Sequence, residues 1–190
     1  MKRRGSARSR ADNRDSASRT AAWISIRVDL IEGRGEHLWP RPGRLFAASS
    51  NHTFDLLAAA IDDAFARWDR SHLHEFELND GTRIGIADPD DDALLDERRL
   101  NLSRVKLGDQ FIYVFDLGDD WAHLCSVAKS SIDPIETLGT VPRKPVPYFG
   151  WGGIPDQYGR VWDDDSDTPI PADPKLSDLP PLRPDWGGRG

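Results

Sequence analysis

The sequence predicts an α+β fold, in which one principal helix packs on a mainly antiparallel β-sheet and disordered tails flank the domain. The first observation is the segment 111–127, where two strand-like runs flank a turn and the first run is apolar on both faces, as in an interior strand. The second is the segment 54–68, whose apolar residues recur at helical spacing. The third is size, since 190 residues with 38% hydrophobic content suit one ordinary domain.

The two ends of the chain differ in composition from its middle. Residues 1–20 carry seven basic and two acidic side chains, a net charge of +5, and no large aliphatic residue after the initiator methionine. Residues 163–190 are rich in aspartate and proline. Neither composition buries enough apolar surface to offset the entropy of ordering, so we expect a disordered basic tail and a disordered acidic tail. The domain is expected to span 21–162, with a core at 21–130 and an ordered aromatic loop, rich in proline and glycine, at 131–162.

Charge and apolar content exclude some function classes. The formal net charge of −7 argues against a protein whose whole surface binds nucleic acid, so such binding is expected only through residues 1–20. No long apolar run and no signal-peptide pattern occurs, and we therefore expect a cytoplasmic protein with no membrane partner. The single Cys125 cannot form an internal disulfide and is expected to be buried and inert.

The first half of the domain predicts two strands and the principal helix. Alternation indicates a strand at 23–31, and a connection rich in glycine and proline leads to a short strand at 45–48. In the helix over 54–68, Thr53 is expected to cap the first turn. Three charged residues are expected to lie mostly on the solvent face of this helix, namely Asp62, Asp63 and Arg67.

The segments before the central hairpin predict shorter elements. A strand at 72–78 carries His72 and His74 on one face, and Asn-Asp-Gly at 79–81 predicts a hairpin to a strand at 83–86. Leu100 and Leu102 indicate another short strand, followed by one helical turn capped by Ser103. After residue 128 regular periodicity disappears.

The register of the central hairpin decides which of its side chains meet. A two-residue loop at 118–119 places Asp116 diagonal to His123 on one face of the sheet. A three-residue loop pairs His123 with Phe115 instead and removes that geometry. Glycine and aspartate are also ordinary turn residues, so the loop composition alone has a purely structural explanation.

Three motifs resemble those of a known family. The hairpin sequence FDLGDDWAH at 115–123, the strand sequence SHLHEF at 71–76 and the pair Asp96 and Glu97 are similar to the signature of the plasmid pRi ORF-3-like family. The resemblance covers roughly residues 24–127. It implies an α+β domain found on plasmids, in bacterial genomes and in insertion elements, with no established activity.

One candidate site is a metal or acid–base centre. His72 and His74 project from one strand, and Asp116 and His123 come from the hairpin. Imidazole and carboxylate ligands suit zinc or iron, and a carboxylate also orients an imidazole. The alternative is that the imidazoles are satisfied in the core and the aspartates bond turn amides, and we favour this structural interpretation.

A second candidate is a binding pocket formed by aromatic and acidic side chains, suited to a cationic peptide or small molecule. The same aromatic residues could instead be core. The sequence favours a noncatalytic binding or accessory module on a plasmid or insertion element, with an unidentified protein or small-molecule partner and no cofactor. The alternative is a metal-dependent hydrolase with zinc or iron bound by His72, His74 and His123. The candidate ligand-binding residues are Asp116, Asp119, Asp120, Trp121, Trp151 and Tyr158.

Overall fold

The structure is a computed structural model that describes residues 21–159. The two predicted tails, 1–20 and 163–190, lie outside the described residues, as do the last three residues of the predicted domain. None of the helices in the described range is long and apolar enough to cross a membrane.

Most of the described chain is built from strands. They are β1 (Trp23–Gly33), β2 (Glu36–His37), β3 (Gly43–Ser49), β4 (His74–Leu78), β5 (Arg83–Gly85), β6 (Leu94–Asp96), β7 (Gln110–Phe115), β8 (Trp121–Ser131) and β9 (Val146–Trp151). The helices are α1 (Phe54–Ala64) and the short α2 (Pro134–Leu138), and a single 3-10 turn spans Leu102–Arg104.

All nine of these strands belong to one sheet. Its order is β6-β5-β4-β7-β8-β1-β3-β9, and β2 pairs with the end of β1. The pairs along this order are antiparallel except β5 and β6, which run parallel. The strand β7 therefore lies inside the sheet between β4 and β8, as its apolar faces predict.

The predicted α+β class is wrong, because the described chain is dominated by a nine-stranded mixed sheet with one substantial helix. Three segments without a strand prediction, those of β2, β6 and β9, are strands. The first two have only two and three residues, too few to show alternation. The third contains Pro147, which is tolerated because β9 is an edge strand with no ladder partner on its outer side.

The core lies between α1 and one face of the sheet. The predicted stripe of Phe54, Leu57, Ile61 and Phe65 is fully buried, which confirms the orientation of the helix. The ring of Phe54 packs edge-on against Phe76 of β4, with 5.1 Å between the ring centroids. The aromatic layer thus fixes the helix over the middle of the sheet.

The helix ends earlier than predicted, at Ala64 rather than near residue 68. Ala66 adopts a left-handed backbone conformation with φ of 54°, which stops the helical repeat. Arg67 therefore leaves the helical face, and it is completely buried. Asp62 is buried as well, so the prediction of a solvent-facing position is wrong for both residues.

Two smaller predictions around the helices hold only in part or not at all. Thr53 stands at the N-cap position of α1 as expected, but its hydroxyl donates to the Asp55 carboxylate and makes no side-chain cap bond to the helix backbone. The expected strand at Leu100 and Leu102 is replaced by the 3-10 turn, and the Ser103 hydroxyl bonds to the side chain of Asn101. In both places a neighbouring side-chain acceptor competes with the backbone for the hydroxyl group.

The central hairpin adopts neither predicted register. Phe115 pairs with Trp121 and Tyr113 pairs with His123, so the loop has five residues, 116–120. Asp116 and Asp120 both adopt left-handed conformations, with φ of 60° and 49°. The amide of Asp120 donates to the carbonyl of Asp116 at 2.7 Å, which closes this wider turn. Aspartate tolerates the left-handed region better than most residues, and this capacity allows the longer loop.

Candidate functional site

Three segments of the chain meet around His72: the loop that follows α1, the hairpin loop 116–120 and the last described segment. The Nδ1 atom of His72 lies 3.0 Å from Oδ2 of Asp116, and its Nε2 atom lies 3.1 Å from the hydroxyl of Tyr158. That hydroxyl donates to Oδ2 of Asp69 at 2.5 Å. We call these four residues, Asp69, His72, Asp116 and Tyr158, the His72 site.

A buried glutamine holds the last described segment against the loop after α1. The side-chain oxygen of Gln157 accepts from the amide of Asp69 at 3.0 Å, and its nitrogen donates to the Asp69 carbonyl at 3.1 Å. Gln157 is fully buried, so these two bonds satisfy its amide where water does not reach. The adjacent Tyr158 is thereby positioned to reach the carboxylate of Asp69.

The hairpin loop positions Asp116 through its own backbone. The Oδ1 atom of Asp116 accepts from the amides of Gly118 and Asp119 at 3.0 and 3.3 Å. Its Oδ2 atom remains directed at His72. The expected turn-stabilising role is therefore present, and the second oxygen of the same carboxylate contributes to the His72 site.

Hydrogen bonding sets the protonation of Asp69 and Tyr158. Bonds donated by Ser71 and Tyr158 hold the pKa of the Asp69 carboxyl well below its usual range. The bond to Asp69 raises the pKa of the Tyr158 phenol to about 12. At neutral pH Asp69 is thus an anion that accepts the phenolic proton, and the Tyr158 oxygen faces His72 with its lone pairs.

The remaining loop carboxylates lie at the edge of the site. Asp119 forms an ion pair of 2.7 Å with Arg34, and its carbonyl accepts from the Arg34 amide. Asp120 is exposed and has no ion-pair partner within residues 21–159. Both residues therefore contribute negative charge beside Asp116.

The three histidines predicted as metal ligands have separate sets of partners. His72 belongs to the His72 site, whereas Nε2 of His74 lies 2.7 Å from Oε2 of Glu97. Burial lowers the pKa of His74, but the hydrogen bond and charge of Glu97 outweigh it and leave that pKa raised. His123 is fully buried, with Nδ1 3.3 Å from the carbonyl oxygen of Tyr113. Across residues 21–159, no group of three or more His, Cys, Asp or Glu residues is arranged to hold a metal ion.

The two tryptophans predicted to bind a ligand, Trp121 and Trp151, lie in different parts of the structure. Trp121 is buried next to the hairpin loop, and the guanidinium carbon of Arg67 stacks 3.8 Å from the centroid of its ring. Trp151 packs instead under the guanidinium of Arg27, and its indole N–H donates to the carbonyl of Arg41. The structure therefore brings Asp116 and Tyr158 together at His72, adds Asp119 at the edge, and places Trp151 in another set of contacts.

Sequence reasoning missed three residues that hold the site together, Asp69, Gln157 and Arg34. Asp69 stands two residues before Ser71, a spacing that indicates a local turn but not a bond to Tyr158. The contacts of Gln157 and Arg34 join residues 88 and 85 positions apart in the chain. Such long-range contacts leave no periodic signal in a single sequence.

The match to known proteins covers much of this fold. The plasmid pRiA4b ORF-3-like protein family matches residues 24–143, a range that contains Asp69, His72 and Asp116 but not Tyr158. A crystal structure of a protein of unknown function from Methanosarcina mazei Go1 is similar, with a TM-score of 0.54 and 25% sequence identity over 68% of this chain and 69% of that chain. No curated protein matches the chain. Because the family match spans more than half of the sequence, the chain belongs to the plasmid pRiA4b ORF-3-like protein family.

Proposed function

We propose that this domain is a noncatalytic binding module that captures a cationic group, such as a lysine or arginine side chain of a partner, at the His72 site. The observation that carries the proposal is the convergence of fixed carboxylates from separate segments beside an aromatic pair. Asp69 and Asp116 are each held by backbone amides and by a side chain of the site. A carboxylate fixed before binding loses little conformational entropy when a cation arrives.

The charge around the site favours a positively charged partner. The carboxylates around the site outnumber its cationic side chains. The hairpin loop pairs with one guanidinium group, that of Arg34, and this group is already bound to Asp119. The exposed Asp120 extends the negative surface toward solvent. Such a surface attracts cations and repels anions, which gives selectivity by sign. The acidic residues of this surface are Asp69, Asp116, Asp119 and Asp120.

An aromatic wall supports the same chemistry. Tyr158 packs edge-on against Trp68 with 5.1 Å between ring centroids, and both rings are only partly buried. An aromatic face next to carboxylates stabilises an ammonium or guanidinium group by cation–π attraction. The family is named after a plasmid protein, and this supports an accessory role on a mobile element.

Binding of short peptides tests the proposal. We expect a tetra-arginine peptide to bind the full chain in isothermal titration calorimetry, with affinity that falls as salt rises. Asp120→Asn should weaken binding several-fold without changing the melting temperature, because the exposed side chain has no partner in the described structure to lose. The matched control is Asp92→Asn, another exposed aspartate in a loop. Equal affinity for tetra-glutamate, or unchanged affinity in Asp120→Asn, would contradict the proposal.

A second candidate is an acid–base enzyme, favoured by one contact. The 3.0 Å approach of Asp116 to Nδ1 of His72 is the arrangement that orients a catalytic imidazole, with Nε2 directed at the Tyr158 hydroxyl. In the metal-dependent version, purified protein would contain stoichiometric zinc or iron that is lost in His72→Ala and kept in His74→Ala, because His74 bonds to Glu97 outside the His72 site. Metal analysis of the three proteins distinguishes this version from the binding module.

A further inference from the structure

Three neighbouring polar side chains in the interior have hydrogen-bonding atoms without a partner. Arg67 is fully buried, and its Nε, Nη1 and Nη2 atoms all lack a hydrogen-bond partner in the described structure. The same holds for Nε1 of Trp121 and Nε2 of His123. Buried polar atoms are nearly always hydrogen-bonded, so five such atoms in one place need a common explanation.

These side chains form one cluster. Trp121 and His123 are two residues apart on β8 and project from the same face of the sheet. The guanidinium of Arg67 lies 3.8 Å from the Trp121 ring centroid. The Arg67 charge also helps, after burial, to lower the pKa of His123 to about 3. The five unpartnered atoms therefore belong to three buried side chains that lie close together.

The positive charge of Arg67 is not neutralised by a direct ion pair. Asp62 attracts it most, followed by Tyr113 and Asp156, but the Asp62 oxygens are used by the hydroxyl of Tyr113 at 2.7 Å and by Arg70 at 2.8 Å. The Trp121 ring covers one face of the guanidinium and leaves the N–H groups at its edges unbonded. Burial lowers the pKa of Arg67 to about 10, so the group remains a cation at neutral pH.

The hydrogen-bonding character of the cluster selects the kind of ligand. Arg67 and the Trp121 indole supply donors only. The Nδ1 atom of His123 lies beside the carbonyl of Tyr113, an acceptor, so Nδ1 carries the proton of the neutral ring and Nε2 presents a lone pair. A matching ligand carries negative oxygens for the donors and one O–H group for the lone pair. Because the cluster is enclosed, the ligand must also be small.

We propose that Arg67, Trp121 and His123 form an internal site for a small protonated oxyanion, of the chemical class of hydrogenphosphate or bicarbonate. Arg67 and the indole N–H donate hydrogen bonds to the oxyanion. The O–H group of the ligand donates a hydrogen bond to Nε2 of His123. The site is separate from the His72 site and has the opposite charge preference. It therefore stands or fails independently of the proposed capture of a cationic group.

Phosphate titration of the full chain tests this inference. At pH 7.5 and constant ionic strength, we expect millimolar phosphate to raise the melting temperature in a saturable way, because a ligand that binds the folded state stabilises it. Sulfate and chloride, which carry no proton at this pH, should have a much smaller effect. Isothermal titration calorimetry should give one phosphate per chain. Equal responses to phosphate and sulfate in this concentration range would overturn the proposal.

Two variants locate the site. Arg67→Met keeps the length of the side chain but removes its charge and donors, and it should abolish the phosphate response. Arg98→Met, at an exposed arginine, is the matched control and should retain it. If Arg67→Met does not fold, Trp121→Phe keeps an aromatic ring beside Arg67 and removes only the indole donor. It should weaken phosphate affinity several-fold, and wild-type affinity in Trp121→Phe would overturn the assignment.

Discussion

The hydroxyl of Tyr113 donates a hydrogen bond of 2.7 Å to the carboxylate of Asp62, and both side chains are buried between α1 and the sheet. Burial raises the pKa of Asp62 to about 6, against the lowering effects of Arg70 and of the Tyr113 bond. We expect Tyr113→Phe to lower the free energy of unfolding by about 1–3 kcal/mol, because a buried acceptor loses a partner. Chemical denaturation measures this change.

A control separates that bond from ordinary loss of a hydroxyl group. The hydroxyl of Tyr148 bonds Ser25 at 2.7 Å in a partly buried position, so Tyr148→Phe should cost less, about 0.5–1.5 kcal/mol. Tyr113→Phe should also raise the pKa of Asp62 further, since the bond favours the charged carboxylate. Equal losses of unfolding free energy in the two variants would show that the buried bond stabilises the fold no more than the partly buried one.

Acid destabilisation should depend on His123. Burial and then the charge of Arg67 lower its pKa from 6.5 to about 3 in the folded protein. A lowered folded pKa gives stability that is present above pH 6.5 and is lost as pH falls from 6.5 toward 3, because the unfolded chain binds the proton first. Between pH 6.5 and 4.5 the loss should be about 2–3 kcal/mol. Denaturant unfolding at several pH values measures it.

Variants isolate this contribution from that of Asp62. The raised pKa of Asp62 acts in the opposite direction, since its contribution is present below pH 3.8 and is lost as pH rises through about 6. His123→Gln should therefore flatten the acid side of the profile, whereas His37→Gln, at an exposed histidine, should leave it unchanged. A wild-type acid slope in His123→Gln would contradict the assignment.

The two hydrogen bonds between the Gln157 side chain and the Asp69 backbone should hold the residues of the His72 site in fixed positions. Gln157→Ala removes both bonds and leaves two partly buried backbone groups of Asp69 without them, so we expect a loss of about 1–3 kcal/mol. Hydrogen exchange at the Asp69 amide should accelerate along with it. Gln110→Ala, which removes an exposed bond to Ser126, should change neither quantity.

The sequence predicted those parts of the fold that repeat with a clear period. The apolar stripe from Phe54 to Phe65 and the alternation of buried residues in β7 each repeat several times. Their spacing can therefore be recognised in the sequence. The strands β2 and β6 are too short for a period, and the edge position of β9 removes the usual penalty against Pro147. The sequence therefore predicts less sheet than the structure contains.

The site was only partly predictable for a related reason. The motif contains His72 and Asp116, and the structure joins them, but through a five-residue loop that depends on two left-handed aspartates. A single sequence does not reveal which aspartates take that conformation. The burial of Arg67 is not visible in the sequence, because the helical pattern continues past Ala66, where the backbone changes hand.

Gly33, which lies against Trp121, and Gly118 of the hairpin loop should differ sharply in their tolerance of alanine. A Cβ at Gly33 would lie 2.1 Å from Cε3 of Trp121, whereas a Cβ at Gly118 would first meet Oδ1 of Asp116 at 3.3 Å. Gly118 is also outside the left-handed region, which in this loop is occupied by Asp116 and Asp120. Gly33→Ala must therefore displace a buried indole, and Gly118→Ala must not.

We expect Gly33→Ala to cost about 1–3 kcal/mol, as overpacking of a core does. Gly118→Ala should stay within about 0.5 kcal/mol of wild type, as a substitution at an exposed position without special backbone geometry does. Melting temperature and denaturant midpoint measure both variants. Since Trp121 also stacks on Arg67, Gly33→Ala should reduce phosphate binding as well, while Gly118→Ala retains it. A larger loss in Gly118→Ala than in Gly33→Ala would show that the hairpin loop, and not the packing under Trp121, limits the stability of this region.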